Sequence, residues 1–117
     1  MSIPEDALLL RILIGEDDRC HGRPLYEAIV LKAREMHLAG ATVLRGPLGF
    51  GHSSRLHTAK ILRLSEDLPI VIEIVDGEDK ITPFLEALEG MIGSGLVTIE
   101  KVRVVQYGEK KDDGGSA

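Results

Sequence analysis

The sequence predicts an α+β fold in which two helices cover one face of a four-stranded antiparallel sheet, the ferredoxin-like or split βαβ arrangement (βαββαβ). Two observations carry this prediction. Four short apolar runs bounded by turn residues are typical of strands, and two longer segments place apolar residues at helical spacing. Since the chain has 117 residues, we expect one domain with a single core.

The first strand and the first helix are predicted from apolar spacing. Residues 7–15 read ALLLRILIG and are followed by the charged run EDDR, which favours a buried strand. The fixed φ of Pro24 suits the first turn of a helix, which is expected to reach about Leu38. Gly40 is the expected left-handed C-terminal stop. The apolar stripe of this helix comprises Leu25, Ala28, Ile29, Ala33 and Met36.

The remaining elements follow in the order that the fold requires. Strands are predicted at residues 41–45, 70–75 and 96–107, and residues 60–64, KILRL, are a candidate for continued pairing beyond the second strand. The second helix begins among the acidic residues 76–79, whose side chains can accept hydrogen bonds from free amides. Pro83 is expected in its first turn, and the GSG at residues 93–95 ends it.

Both faces of the predicted sheet are largely apolar. In the first strand Leu9 and Leu13 share the second face with Arg11, and in the third strand Val71 and Val75 lie on the face opposite the helices. Two helices on one side cannot cover this second face. Another copy of the same chain is the simplest partner for it.

Composition narrows the function classes. The net charge of −5 argues against nucleic acid or an anionic membrane as the main partner, and the few aromatic residues argue against base stacking. Since no long apolar span is found, no direct membrane insertion is expected. The single Cys20 cannot form an internal disulfide, so we expect a cytoplasmic protein. Cys20 and His21 lack the spacing of a closed zinc site, and no metal site is predicted. Residues 109–117 are expected to form a disordered polar tail.

The stretch RGPLGFGHSSRLH, residues 45–57, is too long and too polar for an ordinary connection between strands. Its glycines would allow close backbone approach to an anion, or would serve only unusual backbone angles. His52 and His57 could act as acid and base, but no nucleophile or carboxylate pair accompanies them. We therefore expect a ligand-binding loop without a catalytic centre.

Several motifs in this order resemble the PII signal-transduction superfamily, in particular PII-like proteins of a domain-of-unknown-function family. GATVLRGPLGFG is similar to the stretch that opens the long T-loop of PII proteins. LPIVIEIVDGED resembles the strand and helix start after that loop, and GMIGSGLVTI resembles the short B-loop. The resemblance runs from the first strand to Tyr107. Residues 1–108 are therefore expected to form one PII-like domain, with residues 46–64 as the T-loop-like segment.

The resemblance implies a homotrimer that binds an adenine nucleotide between subunits. It also implies a T-loop that engages a protein target, for instance a membrane transporter or channel. Met91, Leu96 and Val104 stand where PII proteins offer cations, so AMP or ADP is expected to be favoured over ATP. No required cofactor and no enzymatic activity are expected. The implied ligand-binding residues are Arg45, Gly46, Gly49, Phe50, Gly51, His52, Ser53, Glu73, Gly93, Ser94 and Gly95.

Two other function classes stay open at this point. An oligomeric accessory subunit could dock on a partner protein through the same loop without binding a small molecule. A small hydrolase could use the loop histidines. No tyrosine lies between Gly51 and Pro69, so the loop has no counterpart to the tyrosine that is modified in some PII proteins.

Overall fold

A computed structural model describes residues 2–50 and 67–109 of the chain. The segment 51–66 and residues 110–117 lie outside the described residues, and with them the predicted continuation at residues 60–64 and the predicted tail beyond residue 109. In chain order, the elements are β1 (Asp6–Gly15), β2 (Arg19–Cys20), β3 (Arg23–Pro24), α1 (Leu25–Glu35), β4 (Thr42–Arg45), β5 (Pro69–Asp76), α2 (Glu78–Glu89) and β6 (Leu96–Arg103).

Four of the described strands form one antiparallel sheet in the order β4-β5-β1-β6. This is the strand order of the ferredoxin-like fold, and the predicted α+β class is confirmed. Strand β1 lies between β5 and β6, so that Arg11 is opposite Glu73 on one side and Thr98 on the other. Strands β4 and β6 form the two edges of the sheet.

Both helices pack on the same face of the sheet. Alternate residues of the central strands, including Ile12 and Ile72, are completely buried there. They share one core with Ile29 of α1 and Phe84 of α2. Isoleucine and leucine dominate this core because branched aliphatic side chains fill a pleated surface well.

Helix α1 ends earlier than predicted. Its last helical residue is Glu35, and the left-handed residue that follows is His37, with a φ of 63°, rather than Gly40. The Leu38 amide donates to the Ala33 carbonyl at 3.0 Å, and the His37 amide donates to the Arg34 carbonyl at 3.1 Å. These two hydrogen bonds form a Schellman motif. Leu38 is buried and supplies the apolar contact of this motif, and this contact therefore decides where α1 ends.

Further local features differ from the prediction. Pro83 lies at the sixth position of α2 rather than in its first turn, because the helix already begins at Glu78. The helix ends at Glu89 because Gly90 caps it before the predicted GSG stop, and β6 ends at Arg103 rather than at residue 107. Residues 19–24 form the short hairpin of β2 and β3, with His21 and Gly22 in its turn at φ values of 49° and 83°. Positive φ at both central residues is the requirement of a type I′ turn.

Among residues 2–50 and 67–109, no helix or strand covers the second face of the sheet. We call it the open face. Its apolar residues include Leu44 and Leu96, whose exposed fractions are 51% and 55%. At its centre Arg11 pairs with Glu73 at 2.9 Å and with Glu100 at 3.5 Å. The other apolar members, placed by the register, are Leu9, Leu13, Val71 and Val75.

Candidate functional site

Arg45 is the last residue of β4 and therefore lies where the T-loop-like segment begins. Its guanidinium forms an ion pair with the carboxylate of Glu16, which directly follows β1. The two side chains reach each other across the start of β5, since Arg45 is opposite Ile70 and the Glu16 amide donates to the Leu68 carbonyl at 2.8 Å. Arg45, the residue expected to bind phosphate, thus already has an anionic partner within the chain.

The glycines at the base of the loop pack against Pro69. The Gly46 amide donates to the Pro69 carbonyl at 2.8 Å. A Cβ atom on Gly46 would lie 2.9 Å from the Pro69 Cγ, and one on Gly49 would lie 3.2 Å from it. Neither glycine has a positive φ, so these two are required by close approach rather than by unusual backbone angles.

An acidic turn lies beside the loop base, formed by residues that the sequence pattern indicated only as a strand boundary. The Gly15 amide donates to Asp18 Oδ2 at 2.9 Å, and the Asp17 amide donates to Asp67 Oδ1 at 3.2 Å. These two amides are therefore satisfied by carboxylates of the protein. The acidic EDDR run after β1 indicates that carboxylates lie beside the loop base, because the end of β1 and the end of β4 lie at the same end of the sheet.

The second half of the predicted site precedes β6. A Cβ atom on Gly95 would lie 2.9 Å from the Leu13 carbonyl oxygen and 3.0 Å from Ile14 Cγ2, whereas one on Gly93 would meet nothing within 4 Å. Ser94, between them, is half-buried. Of the two glycines in the B-loop-like turn, only Gly95 thus packs closely against the end of β1.

The two halves of the predicted site lie at the same end of the sheet but at opposite edges. Arg45 ends β4 at one edge, and Leu96 begins β6 at the other. Three strand spacings separate these edges, which is roughly 14 Å. One chain alone therefore does not bring the loop base and the B-loop-like turn together.

Glu73 is separated from the loop base within one chain. It lies on the open face in the middle of β5, opposite Thr42, whereas Arg45 lies opposite Ile70 on the helix-bearing face. Its carboxylate accepts a hydrogen bond from Arg11 Nε at 2.9 Å. Glu73 is thus occupied by an ion pair of the open face.

The other predicted residues divide between exposed positions and the part of the chain outside the described residues. The Phe50 side chain is 71% exposed. Gly51, His52 and Ser53 lie outside the described residues, as does His57. Met91, which the resemblance places at a PII cation position, is half-buried after α2. Val104, placed likewise, lies at the other end of β6.

A shallow groove of about 770 Å³ is lined by residues of α1, by the end of α2 and by the β2–β3 hairpin. Cys20 and His21 of the β2–β3 hairpin contribute to its wall, together with Lys32 of α1 and Met91. In residues 2–50 and 67–109, His, Cys, Asp and Glu side chains form no group of three or more arranged for a metal ion.

Comparison with known proteins decides the family. Residues 7–104 match the family DUF190, described as Uncharacterized ACR. A UPF0166 protein of Aquifex aeolicus (strain VF5) is 41% identical over 97 residues, which cover 83% of this chain and 91% of that protein. The chain belongs to the DUF190 family. A UPF0166 protein of Methanocaldococcus jannaschii is 34% identical over 99 residues, or 84% of this chain and 91% of that protein.

A solved structure similar to this DUF190 chain is CPII, a nitrogen regulatory PII-like protein from Thiomonas intermedia K12 bound to ADP, AMP and bicarbonate. The TM-score is 0.62 at 17% identity, and the match covers 87% of this chain and 96% of CPII. At this identity the likeness establishes the fold. The resemblance to PII-like proteins inferred from the sequence motifs is therefore confirmed.

The close packing of Gly95 in this DUF190 protein leads to a stability prediction. We expect Gly95→Ala to lower the free energy of unfolding by about 1–3 kcal/mol, because the new methyl group would collide with the Leu13 carbonyl and Ile14. Gly93→Ala is the matched control, with an expected change within about 0.5 kcal/mol. Urea unfolding of both variants measures the difference, and equal stabilities would contradict the described packing.

Among residues 2–50 and 67–109, neither helix has the length and apolar character that a membrane crossing demands.

Proposed function

We propose that this protein is a non-enzymatic PII-like regulator that binds an adenine nucleotide between the subunits of a homotrimer. In this proposal the segment 46–64 is presented to a protein target, and AMP or ADP is bound in preference to ATP. The observation that carries the proposal is the arrangement of the two half-sites at one end of the sheet and at opposite edges. Such halves form a complete site when the β4 edge of one copy meets the β6 edge of another.

The nucleotide part of the proposal is supported by the fold. The similar structure CPII is bound to ADP and AMP. In this chain, Arg45 supplies a guanidinium at the loop base, which suits charge-assisted hydrogen bonds to phosphate. The closely packed Gly46 and Gly49 hold that base against Pro69, so the position of Arg45 is defined by the sheet rather than by the loop.

The oligomeric part is supported by the open face. Leu44 and Leu96 are more than half exposed there, and exposed apolar surface of this extent on a sheet favours association. Arg11, the cation of this face on β1, already pairs with Glu73 and Glu100. A pre-formed ion pair is less costly to cover than a lone charge. A second copy of this chain is the proposed partner because it supplies the half-site that is missing at each edge of the first.

The preference for AMP or ADP follows from the charges near the loop base. Met91 and Leu96 offer no cation to a phosphate chain, and Arg45 lies beside the acidic turn. Each additional phosphate adds negative charge to a neighbourhood that is already negative. Longer phosphate chains are therefore expected to bind more weakly.

Calorimetry with AMP, ADP and ATP on protein dialysed free of co-purified ligand tests the proposal. We expect binding of AMP and ADP, and we expect Arg45→Gln to weaken AMP binding about tenfold through loss of a charge-assisted hydrogen bond. Arg34→Gln, a change of the same kind on the exposed side of α1, should leave the affinity unchanged.

The alternatives differ in what the same samples would show. If none of the three nucleotides bound at millimolar concentration, the nucleotide proposal would be rejected and the accessory-subunit hypothesis preferred. Formation of a product from any of them would instead favour a hydrolase that uses the loop histidines. Unchanged AMP affinity in Arg45→Gln would mean that another group contacts the phosphate.

A further inference from the structure

We propose that Glu16 is a selectivity residue of the nucleotide site, because its carboxylate competes with phosphate for the guanidinium of Arg45. This inference rests on the function proposed above and adds a determinant that the sequence motifs did not indicate. The observation behind it is the direct ion pair between Glu16 and Arg45 at the loop base. A ligand phosphate that takes Arg45 must displace this carboxylate.

The two partners of the pair are held very differently. The Glu16 side chain is only 19% exposed, and its backbone amide is fixed by the Leu68 carbonyl at 2.8 Å. The Arg45 side chain is 58% exposed. The guanidinium is therefore the member that can reorient toward a ligand, and Glu16 stays behind as a partly buried carboxylate without its counter-charge. Leaving such a group unpaired opposes binding.

Among the described residues of the acidic turn, the amides of Gly15 and Asp17 offer a phosphate no substitute for Arg45. The amides of Gly15 and Asp17 already donate to the carboxylates of Asp18 and Asp67. A ligand at this edge thus meets Glu16 together with these acidic side chains. At a separation of about 8 Å in water, each pair of like charges lowers affinity by roughly two- to threefold. Because ATP carries more negative charge than AMP, the penalty from Glu16 grows with the number of phosphates.

Calorimetric titration of Glu16→Gln with AMP, ADP and ATP, in buffer free of divalent metals, tests the inference. We expect affinity to rise about threefold for AMP and about tenfold for ATP, so that the ratio of ATP to AMP affinity rises about threefold. Glu86→Gln, on the exposed side of α2, makes the same change in net charge and should leave this ratio unaltered. In an Arg45→Gln background the gain for AMP should become smaller, because competition for the guanidinium is lost and only the direct charge repulsion by Glu16 remains.

Each outcome of this titration either supports or overturns the role of Glu16. An unchanged ratio in Glu16→Gln, with wild-type protein binding AMP, would overturn the role of Glu16 and leave the proposed function standing. Weaker AMP binding would also overturn it, because Glu16 would then position Arg45 for the ligand. Silence of both proteins toward all three nucleotides would overturn the inference together with the proposed function. Binding by the variant alone would support both.

A measurement on the wild-type protein keeps the test independent of how well the variant folds. Raising the salt concentration screens exposed charges, so the preference for AMP over ATP should shrink as ionic strength rises from 0.01 M to 1 M, about the range over which the Debye length falls from 30 Å to 3 Å. A preference that is independent of salt would contradict selection by charge.

Discussion

Leu13→Glu is expected to convert the proposed trimer into a folded monomer. Leu13 lies on the open face of β1, opposite Val71 and Leu96, so a covered interface would place the new carboxylate among apolar side chains. Burying an unpaired charge costs several kcal/mol, which corresponds to association weakened by more than about a hundredfold. Within one chain the position is only half-buried, so the monomer should still fold. Light scattering and circular dichroism measure the two properties together.

Leu31→Glu provides the matched control for this change. Leu31 is 43% exposed on α1, away from the open face, so the same substitution there should leave the oligomer intact. A wild-type protein that is monomeric at micromolar concentration would contradict the trimer proposal directly. A Leu13→Glu variant that stayed trimeric would show that copies associate through another surface.

Asp76→Ala is expected to lower the free energy of unfolding by about 2–4 kcal/mol. Asp76 is only 3% exposed and accepts two backbone hydrogen bonds, from the Ala39 amide at 2.9 Å and from the Gly77 amide at 2.7 Å. Removing the carboxylate leaves both donors without their partner, and each such loss costs about 1–3 kcal/mol. Urea unfolding at a fixed protein concentration measures the effect, since the stability of an oligomer depends on concentration.

Asp79→Ala separates this effect from a general loss of negative charge at the start of α2. Asp79 is exposed in the first turn of the helix, where an acidic side chain contributes about 0.3–1 kcal/mol through the helix dipole. If both variants were destabilised equally, the buried hydrogen bonds of Asp76 would not be its main contribution. The structure predicts a clear difference between them.

The fold could be predicted because its signals are local and repeated. Four apolar runs and two helical stripes determined the order of elements, and the sheet found in the structure contains those four strands. The errors fall where a local signal competes with a tertiary contact. Gly40 is a good helix stop by itself, but burial of Leu38 in the core ends α1 at Glu35 and places His37 in the left-handed conformation.

The candidate site was predictable only in part. The motifs identified Gly46, Gly49 and Gly95, and the structure supplies a steric reason for each in its contact with Pro69 or with the end of β1. The pairing of Arg45 with Glu16 could not be predicted, because the two residues are 29 positions apart and meet only after β5 has inserted between their strands. Contacts of this kind depend on register, which sequence spacing does not specify.

By itself, the sequence determined the class of fold, the two apolar faces of the sheet and the long polar loop between its second and third predicted strands. Periodicity was sufficient for this because side chains alternate along every strand, whatever the partner strand is. Only the tertiary structure decided that Glu73 is held by Arg11 on the open face, and that Arg45 is held by Glu16 on the other. It also put the two half-sites at opposite edges, because the positions of β4 and β6 in the sheet come from pairing between strands that are distant in the sequence.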